Sequence, residues 1–139
     1  MVAAACMAMV VDASPARAEK CPAGDEPIFS ENLQAVSDCL AAHALHEECA
    51  WGSSGDAELA ETVIAKCETA FLDRLRRAQL SLYRHRGERC DTAYDQQHSI
   101  GMFQAEMCRE NLAVLYFQAF SRGWSPKSPR WPGPSPAEE

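Results

Sequence analysis

The sequence is short of positive charge. Its 139 residues contain 13 Lys and Arg against 20 Asp and Glu, which gives a formal net charge of −7. Such an acidic chain is poorly suited to nucleic acid or to an anionic membrane surface, since both attract basic proteins. The N-terminal apolar run is also too short to cross a bilayer. The charge therefore favours a cationic protein as partner, and no transmembrane segment is predicted.

Sequence signatures of catalysis are missing as well. The chain has no G-x-S-x-G elbow, no phosphate-binding P-loop and no C-x-x-C pair. It shows no alternation of apolar and polar residues typical of β-strands, and no internal repeat. These absences predict an all-α protein that is not an enzyme and that uses no cofactor.

The N-terminus has the features of an export signal. An apolar stretch is followed by Ala16-Arg17-Ala18, an A-x-A cleavage pattern. Residues 1–18 are therefore predicted to be a signal peptide, which makes the mature protein periplasmic or secreted. Its removal takes Cys6 away and leaves six cysteines. An even number of cysteines in a short exported chain predicts a disulfide framework.

Apolar residues at helical spacing predict one helical domain over residues 19–121. Its three main helices form two consecutive hairpins and are expected at about residues 30–49, 57–92 and 102–120. Ser30 and Asp56 are predicted to be helix N-caps. The residues expected to face inward are Leu33, Val36, Leu40, Ala44, Leu59, Val63, Cys67, Phe71, Leu75, Ala78, Leu82, Phe103, Met107, Leu112, Leu115, Tyr116 and Ala119.

The last part of the chain differs in composition. Residues 122–139 contain five prolines, which is incompatible with a packed helix. This segment is predicted to be a disordered tail. Proline-rich segments also serve as ligands of peptide-binding modules, which is the alternative role for this one.

The spacing of the cysteines predicts which of them pair. Two cysteines far apart on one helix cannot bridge, because ten helical residues rise about 15 Å and a disulfide needs Cα atoms within about 7 Å. A helical hairpin instead brings together residues that are equidistant from its turn. Cys39 and Cys67 each lie 14 residues from Ser53, at the centre of the first turn. The spacing therefore predicts the disulfide Cys39–Cys67.

The second hairpin gives the same kind of coincidence. Cys90 and Cys108 each lie nine residues from Ser99, at the centre of the second turn. This predicts the disulfide Cys90–Cys108, and the pair Cys21–Cys49 follows by elimination. Each bridge is expected to contribute about 3 kcal/mol to stability, which matters for a small helical domain.

A metal site is the alternative interpretation of the first helix. Cys39, His43 and His46 are spaced i, i+4, i+7 and therefore share one helix face, with Glu47 beside them. Zinc would need the Cys39 thiolate, which is lost when that cysteine is oxidised. The favoured interpretation is a disulfide-stapled helix with two surface or boundary histidines. The alternative is a periplasmic metal-binding protein that uses His43 and His46.

Charge is distributed unevenly along the chain. Residues 19–61 contain ten acids and one base, whereas residues 62–92 contain seven bases and four acids. The two regions are expected to attract each other within the fold. The functional alternative is that the acidic surface steers a cationic protein toward the domain.

The stretch AQLSLYRHRGERC, residues 78–90, resembles the LprI-type lysozyme-inhibitor family. Gln79, Arg86 and Cys90 match the spacing of that family's motif, and a loop followed by Cys108 completes it. Leu82 stands where the family usually has Trp, and the family's upstream Leu-Asn-x-x-Tyr pattern is absent. The resemblance covers about residues 67–120. It implies an exported, all-helical, disulfide-bonded domain that inhibits lysozyme by binding it.

Within that resemblance, the contact surface is expected at the first turn and the adjacent acidic helix. The residues predicted to contact the partner are Glu47, Glu48, Trp51, Ser53, Ser54 and Asp56. The partner is then lysozyme or another cationic protein. A structural or stress-related protein of the cell envelope is the alternative function, and the sequence does not predict the oligomeric state.

Overall fold

A computed structural model of the chain describes Cys21 and residues 27–123. The predicted signal peptide, residues 1–18, and all but the first two residues of the predicted tail, 122–139, lie outside the described residues. Every regular element in the described part is helical, as predicted. These elements are α1 (Ser30–Ala35), α2 (Cys39–Cys49), α3 (Ser54–Glu68), a short 3-10 helix (Leu72–Arg74), α4 (Arg77–Ala93) and α5 (Ser99–Ser121).

The first predicted helix is in fact two helices, α1 and α2. Asp38 starts a new helix, because its carboxylate accepts a hydrogen bond from the Ala41 backbone N–H at 3.0 Å. Lys66 ends the previous one, because its Nζ atom donates at 2.8 Å to the carbonyls of Gln34 and Val36. These carbonyls lie at the end of α1, where no intrahelical donor is available. The prediction of one continuous helix was therefore wrong.

The long helix predicted over residues 57–92 is also divided, into α3 and α4. Residues 69–76 separate them and include the short 3-10 helix. Phe71 lies in this connection and is fully buried, so the break places an aromatic side chain in the core. Gln79, in the first turn of α4, stabilises the start of that helix, since its side-chain oxygen accepts the Arg76 backbone N–H at 2.9 Å.

Helices α3 and α5 form the centre of the molecule and share its largest interface. The ring centroid of Phe71, just after α3, lies 5.5 Å from that of Tyr116 and 5.9 Å from that of Phe120, near the end of α5. Gly52, just before α3, lies against Phe103, near the start of α5. The two helices therefore run in parallel, with α2 packed on α3 and α4 packed on α5.

Three disulfides connect neighbouring elements, and they are the three pairs predicted from the sequence. They are Cys21–Cys49, Cys39–Cys67 and Cys90–Cys108. Two pairs were predicted from symmetry about the two turns, and the third by elimination. The second turn lies at residues 94–98, a few residues before its predicted centre at Ser99, but this shift does not change the pairing. Disulfides persist in oxidising compartments, which points to an extracytoplasmic protein. Among the described residues, no helix combines the length and the apolar character needed to span a membrane.

The breaks change which faces of α2 and α4 are buried. Leu40 and Ala44 are exposed, contrary to the prediction, and so are Ala78 and Leu82. The 3.6-residue periodicity of one helix does not continue across the break into the next. The side chains of the new helix that face the core therefore cannot be extrapolated from the preceding helix. The residues of α2 that are buried instead are Cys39, Ala42, His46 and Cys49, and α4 buries Tyr83 and Cys90.

Most of the remaining predicted core is confirmed. The predicted residues that are buried are Leu33, Val63, Cys67, Phe71, Leu112, Tyr116 and Ala119. Those that are partly buried are Val36, Leu59, Leu75, Phe103, Met107 and Leu115. The core thus runs along the α3–α5 interface and ends in the aromatic cluster around Phe71.

Gly101, in the first turn of α5, is a position where any side chain should be harmful. A Cβ atom there would collide with the backbone carbonyl of Asp95, near the start of the turn between α4 and α5. We expect Gly101→Ala to lower the free energy of unfolding by about 2 kcal/mol, the usual cost of overpacking. Gly87→Ala in α4 is the matched control, since no atom lies within 4 Å of its Cβ position. It should stabilise by about 0.5–1 kcal/mol. If the urea unfolding midpoints of Gly101→Ala and Gly87→Ala moved in the same direction, the proposed collision at Gly101 would be contradicted.

Candidate functional site

The turn between α2 and α3 is held by a network around Asp56. One oxygen of its carboxylate accepts hydrogen bonds from the backbone N–H groups of Trp51 and Ser53, at 3.0 and 2.8 Å. The Ser53 hydroxyl donates to the same oxygen at 2.8 Å, and the Asp56 backbone N–H lies 3.3 Å from that hydroxyl. The N-cap of α3 is therefore Ser53, and the prediction that Asp56 is the cap was wrong by three residues. Together they form a capping box.

The hydrogen bonds also hold Asp56 in its charged form. Burial by itself would raise the pKa of this carboxyl group. The hydrogen bonds from Ser53 and Trp51 outweigh burial and keep the pKa below its ordinary value. The group therefore stabilises the turn at neutral pH, and this contribution is lost only as the pH falls through the lowered pKa.

The rigid turn presents an exposed tryptophan beside a groove. Trp51 is 71% exposed, and Phe29, just before α1, is 61% exposed. Between them lies a groove of about 780 Å³. The residues that line it are Pro27, Ile28, Phe29, Ser30, Glu31, Cys49, Trp51, Ser53, Gly55, Asp56, Glu58 and Leu59. Large exposed aromatic side chains beside a concave surface are typical of protein-binding sites.

The surroundings of the groove are acidic. Glu31 and Glu58 line it and are exposed. From Pro27 to Glu61 the chain contains seven Asp and Glu but no Lys or Arg. A groove of this kind combines apolar walls with carboxylates at its edges. It can accept a segment that pairs apolar or aromatic side chains with positive charge.

The predicted contact residues are only partly brought together. Trp51, Ser53 and Asp56 line the groove, whereas Glu47, Glu48 and Ser54 are exposed but do not line it. Sequence reasoning missed the contribution of the segment before and within α1, which includes Phe29 and Glu31. No local signal identifies these residues, because they reach the turn only through the packing of α1 on α3.

A buried carboxylate joins α2 to α5 and was not predicted. Glu110 is fully buried, and its two oxygens lie 2.6 Å from the Nδ1 atoms of His43 and His46. His46 is also fully buried, so the prediction of two surface or boundary histidines was wrong for it. Its Nε2 atom has no hydrogen-bond partner among the described residues, which is consistent with Nδ1 carrying the proton that is donated to Glu110.

The metal alternative is not what this geometry favours. The Nδ1 atoms of His43 and His46 both contact Glu110, and Cys39 is bound in a disulfide. Among the described residues, no group of three or more His, Cys, Asp and Glu side chains is arranged to hold a metal ion. The two histidines are therefore interpreted as partners of a buried carboxylate.

The charge of Glu110 acts on His43. Burial disfavours the charged imidazolium, but the hydrogen bond and negative charge of Glu110, helped by Glu47, outweigh this effect and raise the pKa of His43 above its ordinary value. Its contribution to stability is therefore fully present below the pKa of an unfolded histidine, about 6.5. It is lost as the pH rises through the raised pKa.

The residues that carry the family resemblance lie on α4 and α5. Gln79 caps the start of α4, and Arg86 Nη1 donates to the Tyr116 hydroxyl at 3.4 Å. Cys90 and Cys108 join the two helices. None of the four motif residues lines the groove. In this structure they connect α4 to its surroundings.

Replacing Asp56 should loosen the turn that presents the tryptophan. We expect Asp56→Ala to destabilise the protein by about 1–2 kcal/mol, because it removes the acceptor half of the capping box at the start of α3. Hydrogen exchange at the backbone N–H groups of Trp51 and Ser53 should become faster. Glu58→Ala is the control, because this exposed residue has the same charge and makes no capping bond; its effect should stay within about 0.5 kcal/mol. Unchanged exchange in Asp56→Ala would contradict the role given to this carboxylate.

The chain matches no protein-family model, and no curated protein or solved structure shows significant similarity to it. The site is therefore interpreted from its own geometry and charge.

Proposed function

We propose that the protein is a periplasmic or secreted binding domain that holds a cationic protein in the groove between Phe29 and Trp51. The observation that carries this proposal is the pairing of two exposed aromatic side chains with an acidic edge. Trp is among the commonest energetic centres of protein interfaces, and here it flanks one groove together with a second exposed aromatic side chain. The disulfides add support, because they suit a protein that works outside the cytoplasm.

Lysozyme is the first partner to test. It is a basic protein of the same compartments, and the resemblance of residues 78–90 to lysozyme inhibitors points to it independently of the groove. Apolar and charged residues of the groove would then contribute to different properties of the complex. Burial of Trp51 would supply affinity, while Glu31 and Glu58 would mainly raise the association rate.

The binding assay measures association with a basic lysozyme at about 0.1 M salt, where long-range charge effects are partly screened. We expect Trp51→Ser to weaken binding by about 30-fold, which corresponds to about 2 kcal/mol. Glu58→Lys should lower the association rate more than it raises the dissociation rate. Leu40→Ser is the matched control, because it removes an exposed apolar side chain that does not line the groove.

The outcomes separate the two parts of the proposal. Lysozyme binding that neither Trp51→Ser nor Glu58→Lys affects would show that another surface is used. Failure to bind any class of lysozyme would remove this partner and would favour the alternative of a structural or stress-related envelope protein. Inhibition assays on the same variants show whether binding also blocks the enzyme.

A further inference from the structure

The segment that precedes the two C-terminal glutamates, Glu138 and Glu139, has a composition that complements the groove. Residues 122–137 contain three basic residues and no acidic residue, although the protein as a whole carries a net charge of −7. Two of the three Trp residues, Trp124 and Trp131, also lie there, together with five prolines. Lys127 and Arg130 stand between the two Trp residues. The segment thus combines aromatic side chains, positive charge and proline.

The groove and this segment are complementary. Proline-rich segments bind aromatic-lined grooves well, because they lose little conformational entropy when they bind in an extended form. Trp131 would pack against the side chains of Phe29 and Trp51. Arg130 would lie within reach of the carboxylates at the groove edge. We therefore propose that residues 124–131 of one molecule bind in the groove of a second copy; this rests on the proposed function of the groove as a binding site for cationic segments.

Distances favour a second copy over the same molecule. The Trp51 end of the groove lies near the start of α5, because Gly52 contacts Phe103. Gly123 follows Phe103 by about 20 residues, which is about 30 Å of helix. Trp131 lies eight residues beyond Gly123, and even a fully extended chain spans at most about 26–29 Å over that length. Its backbone therefore falls short of its own Trp51, and the path around the helices lengthens the distance further.

Binding of this kind joins two different surfaces. If two molecules each bind the tail of the other, a symmetric dimer results. If each molecule instead binds the tail of a different neighbour, molecules add head to tail in an open chain. The tail would also compete with a cationic partner for the same groove. Self-association would therefore reduce the amount of protein available to bind that partner.

The test uses the full chain from the exported fraction, without lysozyme. Sedimentation equilibrium between about 1 µM and 1 mM should show concentration-dependent association. Trp131→Ser and Trp51→Ser should each weaken it by at least about tenfold. Ser128→Ala, within the same segment, is the control and should leave it unchanged. A synthetic peptide of residues 124–137 should compete with the association.

Mixing the two defective variants gives the sharpest result. Trp51→Ser keeps an intact tail and Trp131→Ser keeps an intact groove, so the mixture should form a one-to-one complex that neither variant forms alone. A protein that stays monomeric up to 1 mM would overturn the proposal. Association that both variants leave unchanged would also overturn it. So would tail binding that is independent of protein concentration, because the tail would then bind within its own molecule. Since lysozyme is absent, this result is independent of whether lysozyme is the partner.

Discussion

Replacement of Glu110 by alanine is expected to lower the free energy of unfolding by about 4 kcal/mol. This carboxylate is fully buried and receives short hydrogen bonds from both His43 and His46. Its removal would leave two imidazole Nδ1 atoms without their partner, one of them in a fully buried ring, and would also open a cavity. Thermal unfolding of wild type and variant measures the loss, which should lower Tm by about 10 °C or more.

Two further variants show whether the hydrogen bonds are responsible. Glu48→Ala removes an exposed carboxylate from α2 and should change stability by less than about 0.5 kcal/mol. Glu110→Gln keeps the shape and can bond to both histidines with one oxygen and one N–H, so its cost should lie between those of the other two. Equal losses for Glu110→Gln and Glu110→Ala would show that negative charge, rather than hydrogen bonding, is what the site requires.

The pH dependence gives a second readout of the same variant. Since Glu110 raises the pKa of His43, wild-type stability should fall as the pH rises from about 6.5 through that raised pKa. Glu110→Ala should remove most of this slope. A slope that is unchanged in Glu110→Ala would show that His43 is not the group that titrates.

Loss of the Cys39–Cys67 disulfide is expected to have an effect of similar size. The bridge closes a separation of 28 residues, which corresponds to about 3.5 kcal/mol in the chain-entropy model. Both sulfur-bearing side chains are buried in the core, so the paired replacement Cys39→Ala with Cys67→Ala should cost about 1 kcal/mol more through lost packing. Urea unfolding measures the total, with intact mass used to verify the two remaining bridges.

The Cys21–Cys49 disulfide provides a natural control. Its separation is also 28 residues, so the chain-entropy model predicts the same loss. Cys21 is only partly buried, however, and should contribute less packing. We therefore expect the paired replacement Cys21→Ala with Cys49→Ala to be the milder of the two. A larger loss for this pair would contradict the part assigned to core packing.

The sequence was sufficient to predict features that depend on local spacing. Two disulfide pairs followed from the positions of two turns and the third by elimination, and the all-α class followed from the absence of strand patterns. The burial of His46 could not be predicted in the same way. The rotation of α2 depends on where α1 ends, and that end is set by Lys66, which lies about 30 residues later in the chain.

In both the groove and the Glu110 site, the residues that come together only through tertiary packing could not be predicted. Trp51 belongs to a turn that the sequence indicates clearly, so it was predicted as a contact residue. Phe29 joins it only through the packing of α1, and Glu110 lies 64 residues from His46. Two histidines three residues apart are compatible with an exposed helix face, a metal ion or a distant carboxylate, and their spacing does not distinguish among these.

The positions of the bridges have a consequence for proteolysis. Two bridges lie within residues 21–68 and the third lies within α4 and α5, so no disulfide joins these two parts of the described chain. Residues 69–76 are their only covalent connection, and this segment carries the exposed Arg74 and Arg76. A single cut there by a trypsin-like protease would yield two separately cross-linked fragments. They would remain associated without a covalent link, through contacts that include the α3–α5 interface, the Glu110 hydrogen bonds and the Tyr83–Glu68 hydrogen bond. The nicked protein would therefore behave as a non-covalent heterodimer.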